Sequence, residues 1–248
     1  MPFRNVYDDA ARAEAYSRVE FPGTYYLAYR DLPAILAEHV DGLRAVDFGC
    51  GAGRSTRFLR RLGFQVVGLD ISAEMIRKAR EIDPSGDYRL VAAAGAPGLP
   101  AGAWDLVLSA FTFDNVPQDA KPGLLRALAG LLAPGGRLVN LVSTPEIYVH
   151  EWASFSTRDF PANRDARNGD VVRIVMTDVP DRRPVEDVVC TKAAYLDLYR
   201  DSGLAVVASR EPLGNEDEPF AWVTEASVPP WRVDVLRRQT APHPAAGG

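Results

Sequence analysis

The 248-residue chain predicts an α/β fold built on a mostly parallel sheet. Two observations carry that expectation. From Arg44 onward, short apolar runs rich in β-branched residues alternate with amphipathic helical stretches, the order that parallel strands joined by crossover helices require. The first of those runs then passes into a glycine-dense turn, VDFGCGAGRST at residues 46–56, where a strand meets a helix and leaves its backbone open to a ligand.

The elements follow in order. RAVDF reads as a first strand and STRFLRRLG as a helix with Phe58, Leu59 and Leu62 on one side. QVVGLD is a second strand. Ser72 is placed to cap a helix that carries Met75, Ile76, Ala79 and Ile82 at helical spacing. DYRLVAA and WDLVLSA give strands three and four. Asp119 is placed to cap a leucine-rich helix, and Pro134-Gly135-Gly136 turns into a fifth strand, APGGRLVNLVS. Past Ser143 the alternation stops. VVRIVMTDV and VEDVVC flank PDRRP as a small β-hairpin within an insertion at 144–190. KAAYLDLYRDSG, LAVVASREPL and WRVDVLRR then supply a helix and two strands, and the tail at 241–248 is expected to be disordered.

The totals exclude several classes. Hydrophobic residues make up 47% and charged residues 25%, the composition of a soluble globular protein. A net charge of −5 lacks the basic face that a nucleic-acid partner demands. The most apolar window, LVAAAGAPGLPAGAWDLVLSAF, is broken by prolines, glycines and Asp105, so no membrane span is expected. The first residues lack the basic-then-apolar order of a signal peptide. Cys50 and Cys190 are too few for a disulfide framework, and a cytoplasmic location is the expectation.

The glycine turn fails the dinucleotide fingerprint G-x-G-x-x-G in both registers, because Arg54 and Thr56 stand where the last glycine belongs. The glycines fall instead at 49, 51 and 53, with Asp47 just before them. A carboxylate there repels a pyrophosphate and attracts an ammonium. Asp70 ends the second strand about 20 residues on, where an acid accepts ribose hydroxyls, and Ile71 follows beside the adenine position. An amino acid joined to adenosine without phosphate fits this pattern.

VDFGCGAGRST, VVGLDIS, SAFTFDNVP and LLAPGGRLVNL, in that order, resemble the class I S-adenosylmethionine-dependent methyltransferases of the small-molecule type, over roughly residues 44–143. The resemblance implies a Rossmann-like, seven-stranded, mostly parallel sheet with an antiparallel last strand, in a domain at 44–240 behind an N-terminal helical lid at 1–43. It implies S-adenosylmethionine as cofactor. Asp47, Gly49 and Gly51 would line its methionine part, Asp70 the ribose, Ile71 and Met75 the adenine, and Ser109 and Phe111 the sulfonium side. Tyr16, in a stretch resembling the family's lid helix, would reach the methionine carboxylate. One departure stands out: where the family places a polar residue against the adenine amino group, this chain reads VAAAGAP, leaving the backbone near Ala93 and Ala94.

Methyl transfer is an in-line displacement that positioning alone can accelerate, so a base is optional and most useful for a hydroxyl acceptor. His150, beyond strand five, and Asp114, beyond strand four, are the candidate bases. Tyr26, Arg30, Tyr148 and Trp152 are the candidate acceptor contacts, with Phe21, Tyr25 and Tyr29 as further apolar walls. Asp114-Asn115 lacks a clear third ligand, so no metal is expected. The expected activity is methyl transfer to an oxygen or nitrogen of a small-molecule metabolite. The alternative is a non-methylating binder of the same cofactor, cyclase-like or regulatory.

Overall fold

The computed structural model describes residue 9, residues 12–14, 21, 23–92 and 98–239. Tyr16, Ala93, Ala94 and the tail at 241–248 lie outside the described residues.

Two short helices, α1 (Thr24–Arg30) and α2 (Leu32–His39), precede the sheet. The alternation then runs β1 (Arg44–Phe48), α3 (Arg54–Arg61), β2 (Gln65–Asp70), α4 (Ala73–Ile82), β3 (Asp87–Leu90), β4 (Trp104–Ala110), α5 (Lys121–Leu131) and β5 (Leu132–Ser143). The strands are the apolar runs of the sequence, and β1 and β4 bury nearly every position, as strands covered on both faces must. Ser72 caps α4, its hydroxyl accepting from the Met75 amide at 3.3 Å. Asp119 caps nothing: α5 begins two residues later, after Ala120, without a side-chain cap. Ile82 is exposed at the last turn of α4, while Met75, Ile76 and Ala79 of the same helix are buried.

After β5 come β6 (Phe155–Ser156), β7 (Val171–Met176), β8 (Val185–Val188), α6 (Lys192–Asp201), β9 (Leu204–Arg210) and β10 (Trp231–Arg238). The main sheet has seven strands in the order β3-β2-β1-β4-β5-β10-β9. β1 to β5 run parallel to one another, and β10 runs antiparallel between β5 and β9. The hairpin read from the sequence is β7–β8, and a two-residue strand, β6, joins it to make a separate three-stranded antiparallel sheet.

The strand order reverses between β1 and β4, which opens a crevice beyond their carboxyl ends. Everything discussed below hangs from that end. One apolar layer joins α1, α2 and the insertion sheet to one face of the main sheet, and a second packs α5 and α6 on the other. Among the described residues no helix is long and apolar enough to cross a membrane.

Candidate functional site

The turn after β1 is a tight backbone loop pinned to its neighbour. The amides of Gly49 and Cys50 both donate to the carbonyl of Leu69 on β2, at 2.8 and 2.9 Å. Gly49, Gly51 and Gly53 all have positive φ, the region where a side chain is strained. Two of the three are also crowded. A Cβ on Gly49 would lie 2.0 Å from Thr112 Oγ1, and one on Gly53 would lie 2.6 Å from the Tyr88 hydroxyl. Gly51 differs: a Cβ there meets nothing within 4 Å, so its face of the turn is open space.

Two carboxylates lie near the turn, and one of them binds it at Gly51. Asp70 reaches back from the end of β2, its Oδ2 accepting from the Gly51 amide and its Oδ1 from the Ser72 amide, both at 2.8 Å. Asp47 is fully buried. Its Oδ2 accepts from Ser55 Oγ (2.7 Å) and Thr56 Oγ1 (2.6 Å), which hold it against the start of α3. Its Oδ1 is buried and has no hydrogen-bond partner among the described residues. Burial pushes the Asp47 carboxyl up to about 6, partly offset by those two hydroxyls. Beside it, the Arg54 guanidinium lies over the Tyr25 ring at 4.7 Å, with the Tyr29 ring at 5.5 Å.

The rest of the crevice comes from the ends of β2 and β4. Ile71 is half-buried, and Met75 on α4 is buried. Ser109 is buried near the end of β4 with its hydroxyl unpartnered. Phe111, just beyond, holds φ 61°, the only non-glycine residue at positive φ among the described residues. Its amide donates to Leu141, and its ring packs edge-on to Trp231 (4.7 Å) and Tyr25 (5.6 Å). Strained backbone of this kind concentrates at functional sites.

Phe111 also borders a cavity of about 40 Å³ between the main sheet and the insertion. Its lining includes the aromatic and aliphatic Tyr25, Phe155, Trp231, Ile174 and Met176 and the polar Asp114, Ser143, Tyr148 and Asp187. Asp114, in the short turn Phe113–Asn115, accepts from the Ser143 hydroxyl (2.8 Å) and amide (3.1 Å). Burial raises its carboxyl to about 6, against the lowering effect of Ser143, Lys121 and Arg232. Burial and the negative charge of Asp114 raise Asp187 to about 7.

The structure brings some of the sequence candidates together and separates others. Asp114, Tyr148 and Phe111 line the cavity, and so does Tyr25. His150 is exposed and does not line it. Trp152 is buried one layer away, donating from Nε1 to Ile147. Tyr26 packs on Phe220, and Arg30 is held by Asp31 and Glu218. Asp187, Trp231 and Arg54 were not singled out from the sequence. Asp187 carries a signal in hindsight, an acid at an inward position of β8 between Val185 and Val189, which are both buried. Among the described residues no group of His, Cys, Asp and Glu is arranged to hold a metal ion.

Residues 46–140 match the family described as "Methyltransferase domain". Curated relatives include the ubiquinone biosynthesis O-methyltransferases of Xanthomonas axonopodis pv. citri (strain 306), 35% identical over 101 residues, and of Burkholderia thailandensis, 35% identical over 102 residues. Those stretches cover 39% and 40% of this chain and 41% and 43% of the relatives, so the chain spans about two fifths of the length of the curated relatives it matches. Similar solved structures include an S-adenosylmethionine-dependent methyltransferase from Mesorhizobium loti (23% identical, TM-score 0.59, covering 84% of this chain and 97% of that one). Another is the CcbJ methyltransferase from Streptomyces caelestis (20% identical, TM-score 0.62, covering 89% and 100%). At these identities the structural likeness is one of fold.

Proposed function

We propose that the protein is a class I S-adenosylmethionine-dependent methyltransferase that transfers a methyl group to an oxygen of a small-molecule acceptor by in-line displacement, a reading supported by the match of residues 46–140 to a methyltransferase domain. The observation that carries the reading is the turn at Gly51, open on one face and held by Asp70, together with the nearby buried Asp47, whose Oδ1 has no hydrogen-bond partner among the described residues. The residues fit the cofactor. An orphaned carboxylate oxygen is costly unless a donor meets it, and an α-ammonium is such a donor. Gly49 and Gly51 line the amino-acid part. Asp70, fixed at the end of β2 by the amides of Gly51 and Ser72, accepts from the ribose hydroxyls. Ile71 and Met75 flank the adenine; Ser109 and Phe111 stand on the reacting side.

When bound, the cofactor supplies a methyl group made electrophilic by a cationic sulfur. The protein's own work is positioning and exclusion of water. Phe111 lines the cavity and lies just beyond β4, so an acceptor whose hydroxyl enters the cavity approaches the reacting side of the cofactor across it. Oxygen is favoured as the acceptor atom because the relatives are named as O-methyltransferases and because the cavity presents buried carboxyls that can take a hydroxyl proton. Of the two bases considered from the sequence, Asp114 lines the cavity, whereas His150 does not. Cys50 and Cys190 are buried and unpaired, which supports a cytoplasmic setting for the enzyme.

Calorimetry with S-adenosylmethionine and S-adenosylhomocysteine tests the cofactor half. Both should bind, and Asp70→Ala should weaken each at least tenfold, a loss of about 1.4 kcal/mol. Well-folded protein that binds neither would overturn the reading. Binding without formation of S-adenosylhomocysteine across a panel of hydroxylated acceptors would overturn the transferase half.

A further inference from the structure

The polar lining of the cavity includes two acids in unlike states. Asp114 is engaged on both oxygens, accepting from the Ser143 amide at 3.3 and 3.1 Å and from its hydroxyl at 2.8 Å. Asp187, delivered by β8 of the insertion sheet and only 8% exposed, accepts a single hydrogen bond, from the Tyr148 hydroxyl to Oδ2 at 3.2 Å. Among the described residues its Oδ1 accepts none, although the residue lines the cavity. The charged and titratable groups around the pair are Lys121 on α5, Arg232 on β10, Cys190 after β8, and Tyr148 and Tyr195. Lys121 is fully buried, its Nζ over the Tyr195 ring at 5.4 Å and without a hydrogen-bond partner among the described residues, and its charge acts on both acids. Asp187 thus brings one unengaged carboxylate oxygen to a cavity also lined by Tyr25, Phe111, Phe155 and Trp231.

Resting on the methyl-transfer reading above, we propose that Asp187 is the catalytic base, taking the proton of an acceptor whose hydroxyl enters this cavity, and that Asp114 is a positioning residue beside it; about 40 Å³ admits the reacting group, not the whole acceptor. As the acceptor oxygen bonds to the methyl carbon, its O–H proton passes to Asp187 Oδ1, and the electron pair of the breaking carbon–sulfur bond stays on sulfur. Charge balances: the cationic sulfur becomes neutral as the carboxylate becomes a carboxylic acid. Asp114 is fixed by Ser143 and offset by Lys121 and Arg232. The same Lys121 limits the cost of keeping Asp187 ionised next to it.

The consequence is a pH profile that belongs to the pair. Burial and the charge of Asp114 place the Asp187 carboxyl at about 7. A base must be ionised, so kcat/KM should fall about tenfold per pH unit below neutrality. The experiment uses the 248-residue chain with S-adenosylmethionine and two probe acceptors whose hydroxyls stay protonated at neutral pH, catechol and phenol, alongside calorimetric binding of S-adenosylhomocysteine and thermal melts. Asp187→Asn should lose about 100- to 10,000-fold in kcat/KM and lose the acidic limb, while binding S-adenosylhomocysteine within about threefold of the wild type. Asp114→Asn removes a negative neighbour and should move the limb to lower pH, which a merely structural role would not do. Asp187→Asn turning over within about threefold of the wild type, or a limb unmoved by Asp114→Asn, would overturn the proposal. So would wild-type protein that binds S-adenosylmethionine but methylates neither probe. Failure to bind the cofactor at all would instead overturn the underlying methyl-transfer reading.

Discussion

Gly49 and Gly51 stand two residues apart in one turn, yet a methyl group has different consequences at each. At Gly49 it lands 2.0 Å from Thr112 Oγ1, a hydroxyl already committed to the Phe48 carbonyl at 2.9 Å. Gly49→Ala should therefore destabilise the fold by more than the roughly 1–2 kcal/mol of a left-handed alanine, because clash adds to strain. At Gly51 the methyl meets no atom within 4 Å. Gly51→Ala should cost only that strain in a thermal melt and yet weaken S-adenosylmethionine binding at least tenfold, since its Cβ enters the crevice. Melting curves and calorimetry on the two variants check the contrast. Equal loss of stability at both positions would mean that the turn serves packing alone.

At the scale of elements, the insertion sheet is the part whose attachment governs the cavity. Asn163, in the short turn Pro161–Asp165, is buried and bridges two segments. Its Nδ2 donates to the Tyr148 carbonyl (2.9 Å) and the Arg173 carbonyl (2.7 Å), while its Oδ1 accepts from the Arg173 amide (3.2 Å). Tyr148 and β7 are thereby held in one register beside Asp187. Asn163→Ala leaves these backbone groups without their partner and should cost about 1–3 kcal/mol, measured as a lowered melting temperature. Turnover should fall further than stability explains, with cofactor binding unchanged, because the crevice at Gly51 belongs to other elements. The sequence marks β7 and β8 by their alternation but gives no sign of this bridge. Tyr148 and Asn163 lie 15 residues apart in an irregular stretch.

Across the whole molecule, three fully enclosed carboxyls sit at the same end of the sheet: Asp47 at about 6, Asp114 at about 6 and Asp187 at about 7, all raised from 3.8 chiefly by burial. In the range between 3.8 and these values the folded protein binds more protons than the unfolded chain, so stability falls as pH rises through it. Each unit of displacement is worth about 1.4 kcal/mol, which puts the cost of ionised Asp47 near 3 kcal/mol. The ligand-free protein should accordingly melt several degrees higher at a pH of about 5.5 than at about 7.5. Asp187→Asn should flatten that dependence, and S-adenosylmethionine should recover part of the loss by meeting Asp47. A melting temperature that rises between those two pH values would contradict the burial of these acids.

What neighbouring residues encode, the sequence determined by itself. The alternation of strands and helices, the glycine turn, Asp70 at the end of β2 and the Ser72 cap all rest on local periodicity and turn chemistry, and each is found where the pattern puts it. Tertiary structure decided what depends on residues far apart in the chain. The antiparallel β10 lies between β5 and β9, so Trp231 meets Tyr25 and Phe111 in one aromatic wall. Asp187 meets Tyr148 across 39 residues, and Asp114 meets Ser143 across 29. His150 and Tyr148 stand two residues apart in the sequence, one exposed and the other lining the cavity, and no spacing rule separates them. The physical reason is that burial of a polar side chain is set by what packs over it from distant segments, and periodicity reports only which way a residue faces within its own element.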